Sequence, residues 1–405
     1  MDVDLAIVGG GPSGVATALF FAAAAPGRVD RVVVLEKERY PREKICAGAI
    51  GKRADRALEE IGVHVDVPSA IVSGLSVAGA ERALKELLDE PIGRVVRRVE
   101  FDAALAGAAK ARGVRVVEGA RVTALERTAH GVTLETTAGE IRANAVVGAD
   151  GVGSFVRRAL GLPRGRFTAQ VVEVDTEAVA GDVARPYLHF DVTDRSYTGY
   201  AWDFPTIVAG RELVCRGVYE LRDEQHALTT PEGAAHVDVG ERLTRRLEAQ
   251  GATVVGKVKR FAERGLAPHE AVARPRALLV GEAAGIDPVL GEGIAQAILY
   301  GKVAGAYLAR AASRKDWSFY DWPDELRRSR VGWDLAVRAR AAQLAYGPTR
   351  APFERWVTSS RHLAVAGMRY FAGDPVPRGR TLAAVAGLGV ALAGALTSPR
   401  PAASS

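Results

Sequence analysis

Two cysteines in 405 residues, Cys46 and Cys215, are too few for a disulfide framework or a cysteine-based metal centre. A reducing, cytoplasmic setting is therefore expected, and no metal site. A basic stretch ahead of the first apolar run is also missing. Asp2 and Asp4 stand there instead, and the run is only as long as a strand, so no signal peptide is expected. There is no internal repeat and no low-complexity linker. What is present is ordinary for a globular enzyme: 48% hydrophobic and 25% charged residues. The length suits two or three domains, or one discontinuous architecture.

The net charge of +6 is unevenly placed. Residues 301–405 hold 16 Lys/Arg and 7 Asp/Glu, a local net of +9 that leaves −3 for the rest. Trp317, Trp322, Trp333 and Trp356 fall in the same quarter. The basic residues are interleaved with helix-like apolar positions and no nucleic-acid motif accompanies them, so a solvated helical surface is expected and no nucleic-acid partner.

The stretch "DLAIVGGGPSGVATALFFAAA" reads as a buried strand over 5–8, a turn, and a helix from Ser13. In Gly9-x-Gly11-x-x-Gly14 the first glycine permits a tight turn and the second lets the backbone approach a pyrophosphate. The third lets helix and strand pack closely. The helix start, with Ser13, adds free N–H groups and partial positive charge. A second strand, "RVVVLEKE", ends at Glu36, 22 residues after Gly14, where a carboxylate meets a ribose. These features predict dinucleotide binding.

Three later segments favour FAD over NAD. A helix over about 101–112, with Arg97 or Arg98 just ahead of it, is followed by two strands. A strand then runs into Asp150-Gly151, with a helix from near Ser154. Finally "LLVGEAAGIDPVLGEGIAQA" carries a strand to Glu282, a Pro288 turn, and Gly291, Gly293 and Ile294 opening a long helix. A second helix N-terminus bare of side chains suits a flavin edge that gains negative charge on reduction.

In the order and spacing of GGGPSG, Arg98-x-x-Phe101-Asp102, GADG and GEAAG…GEGI, the sequence resembles FAD-dependent oxidoreductases of the geranylgeranyl reductase and para-hydroxybenzoate hydroxylase type. The resemblance spans residues 4 to about 309. It implies an α/β fold in which a discontinuous Rossmann-type FAD-binding domain (1–69, 96–165 and 271–310) carries an antiparallel β-sheet substrate domain (70–95 and 166–270). A C-terminal helical region (311–405) follows. By it, Glu36 holds the adenosine ribose, Arg98 contacts the cofactor, and Gly291 to Ile294 face the isoalloxazine. Glu282 stands where the group usually has Asp, one methylene longer on the ribitol and pyrophosphate side.

Two stretches resemble the reductase branch. "PREKICAGAI" matches a loop in which a Cys, here Cys46, precedes small residues beside the flavin, although Ala47 replaces a usual Gly. "GYAWDFP" matches a YxWxFP motif on the substrate sheet. Tyr200, Trp202 and Phe204 alternate, which fits both a cavity wall and one face of an ordinary strand. Cys46 and Trp202 are the candidates nearest the flavin. His64, His189 and His226 have no consistent partners and are assigned no role as a base.

The middle segment shows no charged cluster that demands an acidic substrate, so a lipophilic one is expected. One dinucleotide fingerprint implies that NADH or NADPH reduces the flavin in a transient encounter. The first expectation is a monooxygenase using NAD(P)H and O2 on a lipophilic, prenylated or polyketide-like aromatic of secondary metabolism. Reduction of isoprenoid C=C bonds is the alternative, and a non-catalytic electron carrier the alternative of another class. Residues 381–397 form 17 charge-free positions, at the lower edge of the roughly 17–25 that span a bilayer. Two fates suit them: packing on the body of the protein, or peripheral membrane contact beside the basic, Trp-rich segment.

Overall fold

A computed structural model describes residues 1–225, 228 and 237–397; His226 lies outside the described residues. The fold grows from the strand Asp2–Val8, buried beyond its first residue. The polar residue inside it, Asp4, is held by Arg28 at 2.8 Å and Arg31 at 3.1 Å. This strand pairs in parallel with Val32–Glu36 on one side and Gly139–Gly148 on the other. Arg115–Glu118 and Ala277–Leu279 extend the sheet, again in parallel. Near-continuous Val, Leu, Ile and Ala runs suit a sheet covered on both faces. The helix Pro12–Ala24 packs on the long helix Ile294–Arg314, which approaches closely because Gly301 and Gly305 present no side chain. A Cβ on either would come within 2.6 Å of Ala16 or Phe20.

The helix expected over 101–112 spans Arg98–Ala111. It starts earlier because Arg98 and Asp102 pair one turn apart, at 2.6 Å, so Arg98 lies in the first turn rather than ahead of it.

A second sheet of seven strands carries the aromatic segment. Its order is Val254–Gly265, Phe167–Thr176, Arg211–Asp223, Gly199–Val208, Tyr187–Asp191, Gly74–Ala78 and Ala83–Leu87. All neighbours are antiparallel except Tyr187–Asp191 with Gly74–Ala78. Ser69–Val72 and Gly93–Val96 instead join Ala49–Gly51 in a small third sheet. Because side chains alternate along a strand, the seven-stranded sheet has two different faces. Ala201, Val172 and Val218 pack under the helix Val239–Gln250. Tyr200, Trp202 and Phe204 point the other way, towards Ala339, Ala342, Val365 and Met368 of the helices Arg330–Tyr346 and Arg361–Ala372.

The C-terminal quarter is therefore a roof over the aromatic face, not only a solvated surface. Trp322 is fully buried, while Trp333 is 62% exposed. The last helix runs from Arg378 to Thr397, and among the described residues no helix is long and apolar enough to cross a membrane.

Candidate active site: two cavities with a common wall

The loop between Asp2–Val8 and Pro12–Ala24 opens onto a cleft of about 1020 Å³. Gly9, Gly11 and Ser13 line it, with Glu36 at the end of the neighbouring strand. Arg98, Asp150, Gly151 and Glu282 join from three other segments, and Gly291, Gly293 and Ile294 complete it. Gly14 is the one predicted cradle residue outside this wall. A Cβ there would lie 2.0 Å from the Gly9 carbonyl oxygen, so its role is close packing of the helix on the loop.

Gly11 is different. Its backbone is extended and the nearest atom to a Cβ would be Arg42 Nη2, 3.8 Å away. The space left open at Gly11 faces the cleft, as a phosphate cradle requires.

Glu36 is fixed by N–H donors from Gly10 at 2.9 Å and Glu38 at 3.0 Å. Arg42 bridges Glu36 and Asp102, 3.2 Å from each, and also lines the cleft. Arg98 is committed to Asp102 through two hydrogen bonds. Asp150 accepts from the Ser154 hydroxyl and the Val156 N–H, capping the helix Phe155–Ala159, and burial raises its pKa. Glu282 meets the Lys44 ammonium at 3.8 Å. Arg42 and Lys44 were not expected from the sequence. Their only signal is a basic, loop-forming stretch following the strand that ends at Glu36.

A second cavity, of about 640 Å³, lies between the aromatic sheet face and the helical roof. Tyr200, Trp202 and Phe204 all line it. Tyr200 stacks on Tyr219 at 5.1 Å, and Phe190 meets Phe204 edge-on at 5.2 Å. Trp202 is 3% exposed, so it is at once core and wall. From the roof come Trp333, Met368, Tyr370 and Phe371, none of which was expected at a cavity from the sequence.

The two cavities share Cys46, Phe261, Glu263, Gly291, Gly293 and Ile294. Three tyrosine hydroxyls hold the turn before Gly291: Tyr200 donates to Leu290, Tyr219 to Pro288 and Tyr346 to Val289, at 2.5, 3.1 and 2.6 Å. Arg338 of the roof pairs with Asp287 and Glu292, which flank that turn, and with Asp334.

The titratable groups in the shared wall are Cys46 and Glu263. Burial pushes the Cys46 thiol up, opposed by Arg98. Burial beside Glu282 pushes Glu263 well above the usual carboxylate range, opposed by Lys44. Both favour their protonated, neutral forms. Behind them Glu173, buried next to Asp175, is pushed up to about 7 and accepts the Cys46 N–H at 3.2 Å.

A phosphate cradle, a fixed carboxylate and a second bare helix start, set against an apolar cavity, define an FAD-dependent oxidoreductase. The residues present fit FAD: Gly11 leaves room where a pyrophosphate would lie, Glu36 would meet the ribose, and Gly291 to Ile294 would face the ring. Residues 2–310 match the family described as "FAD binding domain", and the chain belongs to it.

Digeranylgeranylglycerophospholipid reductase 1 of Methanopyrus kandleri is 29% identical over 359 residues, 84% of this chain and 88% of that protein. Menaquinone reductase of Mycobacterium tuberculosis is 28% identical over 396 residues, 92% of each chain. The crystal structure of a geranylgeranyl bacteriochlorophyll reductase-like protein from Thermoplasma acidophilum has the same fold. Its TM-score is 0.71 at 20% identity, over 95% of this chain and 96% of that one.

Proposed function

We propose that this flavoprotein reduces a carbon–carbon double bond in the isoprenoid part of a lipophilic molecule, with NADH or NADPH as the transient reductant. The observation that carries the reading is the shared wall: where the apolar cavity meets the cofactor cleft stand two titratable side chains, Cys46 and Glu263, whose burial favours their protonated forms. Bound FAD, once reduced, supplies the hydride that this chemistry needs. The protein's part is to hold the chain against Tyr200, Trp202 and Phe204, exclude water, and deliver a proton. The names of the two relatives support the same class of substrate.

The roof adds a reason for a lipophilic substrate. Trp333 and Leu290 line the cavity yet stand 62% and 42% exposed, with Arg330 and Arg340 exposed on the helix that carries Trp333. That mixture suits contact with an anionic lipid surface from which the substrate enters.

Oxygenation is the second reading. It is favoured by Ala47, which lines the cavity where the reductase-type loop has glycine.

Incubation under argon with NADPH and geranylgeraniol, whose only reducible groups are its C=C bonds, separates them. A product that gains two hydrogens supports the proposal. A product formed only in air, carrying an oxygen atom from O2, overturns it.

A further inference from the structure

Glu263 lies on the strand Val254–Gly265, two residues after Phe261, so both side chains project from the same face of that strand. Both reach the wall common to the cleft and the cavity. The carboxyl packs against bare backbone: a Cβ on Gly291 would come within 2.4 Å of Glu263 Oε2. Oε2 is shielded from solvent and has no hydrogen-bond partner. A buried polar atom without a partner is costly to keep, so its retention calls for an explanation.

We infer that Glu263 is the acid that delivers the proton of the reduction, across the wall where the cofactor cleft opens into the substrate cavity. The assignment rests on the C=C reduction proposed above. One alkene carbon takes the proton from the Glu263 carboxyl. The other takes a hydride, whose two electrons come from reduced FAD. The product gains two hydrogens, the flavin is left oxidised, and Glu263 is left as a carboxylate that regains its proton from water.

The surroundings suit both halves of that cycle. Glu282 from the turn Gly281–Ala283, Asp287 ahead of Gly291 and Glu173 from the adjacent strand all oppose a charge on Glu263. The Lys44 ammonium, from the loop after Val32–Glu36, favours one and steadies the anion once the proton has left. Cys46 faces the same wall, where its sulfur accepts the Gly48 N–H at 3.4 Å.

The test is a single turnover under argon. Wild type, Glu263→Gln and Glu263→Asp are reduced with dithionite and mixed with geranylgeraniol, which has no quinone ring to take the electrons, and flavin reoxidation is followed across pH. The glutamine variant is expected to retain FAD and accept electrons normally, with reoxidation slowed by about 10²–10⁴-fold. The aspartate variant is expected to recover part of the rate, and the wild-type rate to fall at high pH along a limb that the glutamine variant lacks. Reoxidation of Glu263→Gln at the wild-type rate overturns the assignment and leaves the reduction standing. Colourless Glu263→Gln also overturns it, since the residue then holds the cofactor. If the glutamine variant does not fold, Glu263→Asp decides: a slowed rate that keeps the pH limb supports the assignment, and an unchanged rate overturns it. A wild type that transfers no electrons to the alkene under argon overturns the reduction itself, and the proton donor with it.

Discussion

Gly11 and Gly14 stand three residues apart, and the structure assigns them opposite responses to an added side chain. At Gly11 φ is −76° and ψ is 179°, an extended conformation that a β-branched residue adopts readily. The nearest atom to a Cβ there is 3.8 Å away, an ordinary contact, so Gly11→Val leaves the apoprotein fold intact. Its methyl groups instead occupy the space through which a pyrophosphate approaches the backbone. Losing that approach is expected to weaken FAD by at least ~100-fold, about 2.8 kcal/mol.

At Gly14 the added Cβ would lie 2.0 Å from the Gly9 oxygen, against 3.4 Å for an ordinary contact. The helix must move by about 1.4 Å, and overpacking of this kind costs about 1–3 kcal/mol. Both variants are measured by flavin absorbance per chain and by melts of the apoproteins. Gly11→Val is expected to be colourless, with an apoprotein melting within about 2 °C of apo wild type. Gly14→Ala is expected to melt early. Full flavin in purified Gly11→Val refutes the cradle, and with it the reading of the whole cleft.

Trp202→Ala removes a side chain that is both wall and core. A stability loss of about 3–5 kcal/mol is expected with FAD retained, and turnover should fall further than the melt explains; activity that merely tracks the melt assigns Trp202 to packing alone. Glu173 has a folded pKa of about 7 against 4.5 ordinarily, so the native state binds its proton more tightly than the unfolded chain does. That contribution is present below about pH 4.5 and is lost as pH rises through 7, a difference of about 3 kcal/mol. Glu173→Gln should therefore gain on wild type between pH 5 and pH 8, and a constant difference in melts refutes this. At low salt the protein is expected to float with anionic vesicles, less so with Trp333→Ala, with truncation before Gly379 testing the last helix separately; no flotation of the full chain at low salt rules out the lipid surface.

The nucleotide-binding half was readable because its signals are local. A four-residue apolar strand, three glycines at fixed spacing and an acid at the next strand end all lie within 36 residues. The alternation of Tyr200, Trp202 and Phe204 likewise declared one face of a strand. What stayed hidden depends on partners far away in the chain. Glu263 is one polar residue in an ordinary strand until Gly291 and Cys46 arrive beside it.

The roof was concealed by charge. The surplus of basic residues after 301 looked like a solvated surface, but several of them meet acids of the remainder: Arg338 with Asp287 and Glu292, Lys302 with Glu60, Arg355 with Glu81, and Arg361 with Glu86. Pairs of this kind join segments far apart in the chain, which a count by segment cannot reveal.

The three tyrosine hydroxyls that grip residues 288–290 have a thermodynamic consequence. Tyr200 and Tyr219 belong to the cavity wall, and the carbonyls they hold are peptide dipoles adjoining the loop at Gly291. A guest that displaced those rings would turn the dipoles, and would so change the field at Gly291 to Ile294, where the flavin ring would lie. Linkage is reciprocal: if occupancy of the cavity shifts the reduction potential, the redox state must shift the affinity for the guest by the same free energy.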